Sequence, residues 1–145
     1  MALSACSSTS TTATPQDKAA GTTKPATAAP TSPVLAFPKV NARELARVIY
    51  PRNAQVTQHV PKQRSYSVVM ACSAADPKTP LDWDLLVEGP SGTKSLNGGT
   101  FFCDGLEDSV SMGFPLASGS MQLVFRNKSE KITRAYAVLR SGSQQ

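Results

Sequence analysis

The chain has 145 residues, 40% of them hydrophobic and 6% aromatic, which suffices for one modest core and asks for no second domain. Its formal charge of +5 comes from basic residues scattered along the chain. With no dense run, no nucleic-acid motif and no aromatic stacking platform, no nucleic-acid partner is expected, and only a weak attraction to anionic wall polymers or lipid headgroups remains. No run reaches the ~18 consecutive apolar residues of a membrane-crossing helix, so the chain as written carries no such span.

In chain order, the first feature is Leu3-Ser4-Ala5-Cys6. It resembles at all four positions the bacterial lipobox, in which the Cys is lipidated before a signal peptidase cuts ahead of it. Small residues suit a narrow peptidase subsite, and a thiolate is the nucleophile that lipidation uses. Only Met1 and Ala2 precede Leu3, whereas an export signal needs a charged start and an apolar run of about 7 to 15 residues. The expectation is therefore a native reading frame that begins upstream, or a sequence cut near its mature end. A cytoplasmic chain with a chance match is the alternative.

Residues 7–33 hold three charged residues (Asp17, Lys18, Lys24), four prolines and no aromatic or large aliphatic side chain. Such a segment buries too little apolar surface to offset its ordering entropy, and it reads as a disordered Ser/Thr/Ala/Pro tether. As a flexible coil it has a root-mean-square reach of roughly 30 Å. Residues 1–6 are thus the end of a signal peptide with its lipidated Cys, 7–33 the tether, and 34–145 the folded domain.

Past Pro33 short apolar alternations appear, separated by glycine, proline and aspartate. Residues 41–50 are ambiguous: Asn41 and Glu44 resemble a capping arrangement, with Leu45, Val48 and Ile49 at helical spacing, yet the same stretch reads as a first strand. Tyr66, Val68, Met70 and Cys72 share one face of a strand, as do Leu81, Trp83, Leu85 and Val87. Gly89-Pro90-Ser91-Gly92 and Asn97-Gly98-Gly99 read as turns, followed by Thr100 to Cys103. Then come Val110-Met112-Phe114, Met121-Leu123-Phe125 and a last strand through Ile132 to Arg140, with hairpin turns expected at 117–120 and 127–130. Seven or eight closely spaced strands predict an all-β antiparallel sandwich, immunoglobulin-like or jelly-roll.

Cys72 and Cys103 form an even pair, most simply a disulfide in an exported domain. A reduced buried pair is an alternative. A metal or redox site is another, but there is no CxxC and His59 is the only histidine, so no four-ligand zinc site and no cofactor is expected.

Among charged residues, Asp82 and Asp84 flank Trp83 on the polar face, while Asp104, Glu107 and Asp108 share one loop. Carboxylates so placed are candidates for calcium or a ligand, although the loop lacks the spacing of a known calcium loop, and solvated charge at turns is the commoner explanation. A glycosidase pair needs two carboxyls held across a cleft, which the sequence does not display. Trp83, with Tyr50 or Tyr136, is a candidate sugar platform, but its periodicity places it in the core. No GxSxG context makes His59 part of a nucleophilic triad. Asn127-Lys128-Ser129 is formally a glycosylation sequon and marks an exposed turn.

The whole pattern, a lipobox at Cys6, a Thr/Ala/Pro tether, Tyr-x-Val-x-x-x-Cys, Phe-Cys-Asp-Gly and a final Ala-Tyr-Ala-Val strand, resembles the small cell-surface lipoproteins of high-GC Gram-positive bacteria. That resemblance implies a C-terminal β-sandwich with one inter-strand disulfide and no catalytic residues to carry over. The expectation is a non-catalytic binding or structural module on the outer face of the cell membrane, lipid-anchored through Cys6, whose partner is a cell-wall polymer or another envelope protein. The alternatives are a carbohydrate-binding module or an envelope hydrolase built on the acidic residues.

Overall fold

The computed structural model describes residues 34–52 and 57–142. The lipobox with Cys6 and the tether lie outside the described residues. The described residues are all-β, with eight strands among them: β1 (Glu44–Tyr50), β2 (Gln58–Val60), β3 (Tyr66–Ala74), β4 (Pro80–Gly89), β5 (Gly92–Phe102), β6 (Asp108–Met112), β7 (Gly119–Arg126) and β8 (Ile132–Ser141).

The strands form two four-stranded antiparallel sheets, ordered β1-β8-β3-β6 and β2-β7-β4-β5. First pairs with last, second with seventh, third with sixth and fourth with fifth, as if one long hairpin had been rolled up. Rolling then brings β8 beside β3 and β7 beside β4. This order is that of a jelly roll and not of the immunoglobulin fold, which decides between the two topologies the sequence leaves open.

Residues 41–50 are strand rather than helix from Glu44 on, because Val48 pairs with Ala137 and Tyr50 with Ala135 at the sheet edge. The tip of the long hairpin is the β4–β5 turn, where Pro90 and Ser91 stand between the paired Gly89 and Gly92, and Gly92 supplies a φ of 101°.

Three turn assignments are corrected. Asn97-Gly98-Gly99 does not turn the chain; it lies inside β5, opposite Leu85, Asp84 and Trp83, beside a bulge that skips Leu96. A Cβ on Gly98 would stand 2.2 Å from Asp84 Oδ1, and one on Gly99 3.4 Å from Trp83 Nε1, so these glycines make room for large neighbours within the strand. The stretches 117–120 and 127–130 are not hairpin turns either. They carry the chain from one sheet to the other, because β6 and β8 belong to one sheet and β7 to its partner. Strand β6 also ends at Met112, which leaves Phe114 in the connection, edge-on to Tyr66.

The core fills the space between the sheets with inward positions of both, among them Val68, Met70, Leu81, Trp83, Leu85, Leu123, Phe125 and Leu139. Trp83 is 3% exposed, so it packs in the core as its periodicity predicts and offers no sugar platform. Cys72 on β3 and Cys103 just beyond β5 are bonded and buried, and they tie one sheet to the other where the chain crosses between them. The crossing is also held by backbone hydrogen bonds, Cys103 N–H to Thr79 O at 2.9 Å and Gly105 N–H to Cys72 O at 2.9 Å.

Strands β3 and β8 are central in their sheet and apolar on both faces. Outward-facing Val69, Ala71, Tyr136 and Val138 form a second buried cluster, over which Leu35 and Phe37 pack. This strap is pinned by Arg134 Nη1–H to Leu35 O at 2.9 Å and Arg47 Nη1–H to Pro38 O at 2.8 Å, with the Arg134 guanidinium 4.5 Å above the Phe37 ring.

Candidate polar groove

The five carboxylates singled out from the sequence do not come together. Asp82 and Asp84 lie side by side on the outer face of β4, and both are engaged. Asp82 accepts from Thr100 Oγ1 at 2.6 Å and from Asn127 Nδ2; Asp84 accepts from Ser95 Oγ at 3.2 Å and pairs with Arg126. Asp104 caps its own turn by accepting the Leu106 N–H at 2.9 Å, and Asp108 accepts the Ser109 N–H at 2.8 Å. Among the described residues no three His, Cys, Asp or Glu side chains gather where a metal ion would sit. His59, at the exposed middle of β2, pairs in register with Ser120.

Glu107 differs from the rest. It leaves the β5–β6 loop and reaches over the outer face of the β1-β8-β3-β6 sheet, where Tyr136 Oη donates to its Oε2 at 2.7 Å. Burial, reinforced by the hydrogen bond to Glu107 and its charge, holds the Tyr136 phenol well above the usual tyrosine range. The carboxylate is thereby fixed at one side of a groove of about 830 Å³.

The floor of this groove follows from strand register. Arg140 on β8, Ser67 on β3 and Ser111 on β6 are directly paired neighbours, forming one row across three strands at ~4.8 Å intervals. Val69 and Ser109 make the next row, also paired in register. Tyr66 and Val68 point inward to the core, so the alternation of a strand turns Ser67 outward, and Ser111 and Ser109 follow in step. Arg43 and Asn41 stand at one end, in the segment that leads into β1.

Arg140 carries the electrostatics of the site. In register it faces Glu44 on β1, but that carboxylate is taken by Arg47, whose Nε and Nη2 each lie 2.6 Å from it. Glu107 is held by Tyr136. Arg140 Nε is buried with no hydrogen-bond partner among the described residues. A guanidinium is a cation whose N–H donors form a fixed planar fork.

The groove therefore offers hydroxyls, one fixed carboxylate and a cationic fork on a rigid sheet, a set suited to holding a polyhydroxylated molecule. Asp82 and Asp84 line neither this groove nor the smaller cavity of about 450 Å³ around Phe102, Leu106, Asp104, Glu107 and Asp108. Of the residues expected from sequence, only Glu107 takes part in the groove. Arg140 was one scattered basic residue among many, and Ser67, Ser109 and Ser111 were unremarked. The signal was there in Ser-Tyr-Ser and Ser-Val-Ser, outward positions filled by serine where a solvated face usually carries charge.

No family model, no curated protein and no solved structure matches this chain.

Proposed function

We propose that this chain is a non-catalytic binding module, held at the outer face of a cell membrane by lipid on Cys6 and spaced from it by residues 7–33, with a saccharide of the cell envelope as its ligand. One observation carries the ligand class: the outer face of the β1-β8-β3-β6 sheet presents Arg140, Ser67 and Ser111 in a paired row, with Glu107 fixed above it, inside a groove of about 830 Å³. Hydroxyls and a carboxylate on a rigid floor match the dense donors and acceptors of a sugar ring. The location rests on the Leu3–Cys6 motif and the composition of the tether, and the disulfide agrees with an oxidising compartment.

The test is titration of the full chain against a panel of neutral and acidic oligosaccharides by calorimetry, beside the variant Ser111→Trp. Ser111 is exposed at the edge strand β6, so an indole there fills the groove and leaves the core untouched. Binding by the parent and its loss in the variant, at unchanged melting temperature, is the expected result. A parent that binds no saccharide, or a variant that binds as well as the parent, overturns the proposal, and release of reducing ends from any of them marks a hydrolase instead.

A further inference from the structure

The geometry points to an acidic saccharide as the ligand, with Arg140 receiving its carboxylate, an inference that rests on the reading of the groove as a saccharide site. A buried polar atom with no partner is rare in a folded protein, and a cationic one rarer, because each costs free energy that nothing local repays. Arg140 Nε is such an atom. Its cross-strand neighbour Glu44 is bound at both oxygens by Arg47, and Glu107 accepts from Tyr136, so among the described residues Arg140 makes no ion pair. The surrounding carboxylates are thus occupied, and Arg140 lines the groove without one of its own.

A guanidinium is planar and bidentate, the shape that fits a carboxylate. Ser67 and Ser111 continue from it at strand spacing, about the size of one sugar ring, and Glu107 accepts from hydroxyls on the same side. A ring whose carboxylate lies on Arg140 therefore presents its hydroxyls to the serines. A neutral sugar leaves the guanidinium unpaired, and an anion without hydroxyls leaves the serines and Glu107 without a role.

The experiment compares oligogalacturonates, their methyl esters and inorganic polyphosphate on the full chain and on Arg140→Gln and Arg140→Lys, with melting curves to confirm folding. The expected result is at least tenfold tighter binding of the acid than of the ester, a preference that Arg140→Gln abolishes. Arg140→Lys keeps the charge without the fork and is expected to retain part of the preference. Should Arg140→Gln fail to fold, the lysine variant decides: an unchanged preference there overturns the inference.

Equal affinity for acid and ester overturns the inference and leaves the saccharide module standing. The same division holds if Arg140→Gln keeps the full preference. Polyphosphate bound as tightly as the oligogalacturonates shows a general anion site and overturns it too. No binding of any saccharide removes both readings.

Discussion

Reducing the Cys72–Cys103 bond in the full chain reopens a loop with a sequence separation of 31 that contains the whole of β4 and β5. In the chain-entropy model, freeing a loop of that length gives the unfolded state an advantage of about 3.7 kcal/mol. For a domain of roughly a hundred residues each kcal/mol moves the melting temperature by about 4 °C, so reduction should lower it by about 15 °C. The double variant Cys72→Ala/Cys103→Ala loses this and also two buried sulfur atoms, worth about 1 kcal/mol each, and should be the less stable of the two. Urea titrations followed by fluorescence of Trp83, which is buried between the sheets, measure both effects on one scale. Thiol counting before each titration establishes the redox state. A fully reduced protein that unfolds at the same urea concentration as the oxidised one would refute the reasoning, since the loop would then be closed in the unfolded chain by something other than the bond.

Gly98→Ala sets a Cβ 2.2 Å from Asp84 Oδ1 and 2.7 Å from Trp83 O, and should destabilise by about 1–3 kcal/mol in urea. Gly113→Ala meets nothing within 4 Å and should be neutral or stabilising by up to ~1 kcal/mol in the same titration. The Tyr136 phenol is raised in the folded state, so the stability it contributes is complete below the unfolded tyrosine value of about 10 and declines as pH climbs above it. Tyr136→Phe should flatten the fall in melting temperature above pH 10, at a cost of about 1 kcal/mol at neutral pH from the lost bond to Glu107. Phe37→Ala uncovers the outer cluster of Val69, Ala71, Tyr136 and Val138 and should cost about 1–2 kcal/mol, read by urea titration. Cys6→Ala in the native gene product should move the protein from the detergent phase to the aqueous phase on Triton X-114 partition and end labelling by radioactive palmitate; unchanged partition counts against the anchor.

Much of the fold was legible because its strands alternate. In β3, β4 and β7 the residues that period two assigns to the interior (Val68, Met70, Leu81, Trp83, Leu85, Leu123, Phe125) are the ones that fill it. What period two does not encode is which strand pairs with which. The stretches 117–120 and 127–130 have the composition of hairpin turns, yet both cross between sheets, and nothing local to a turn distinguishes those cases. Asn97-Gly98-Gly99 misleads for a related reason. Its glycines are set by Asp84 and Trp83 on the neighbouring strand, so their explanation lies across the sheet and not along the chain. The candidate site was hidden in the same way, since Arg140, Ser67 and Ser111 are far apart in sequence and meet only through pairing.

The outward row of β8 explains why the groove is where it is. From Arg134 through Tyr136 and Val138 to Arg140, every second residue faces away from the core, and the first three are covered: Arg134 by Phe37 and Leu35, Tyr136 and Val138 by the same apolar cluster. The strap continues to Pro38, where Arg47 holds it, and the chain then runs to the sheet edge, where β1 begins with Glu44 in register with Arg140. The outward face of β3 follows the same gradient, with Ala71 and Val69 in the cluster and Ser67 beyond it. An apolar face must be covered, and a polar one need not be. The change from valine to serine and arginine along these two central strands therefore sets where the covering ends, and it leaves a rigid polar floor open beside a buried apolar patch that fixes its backbone.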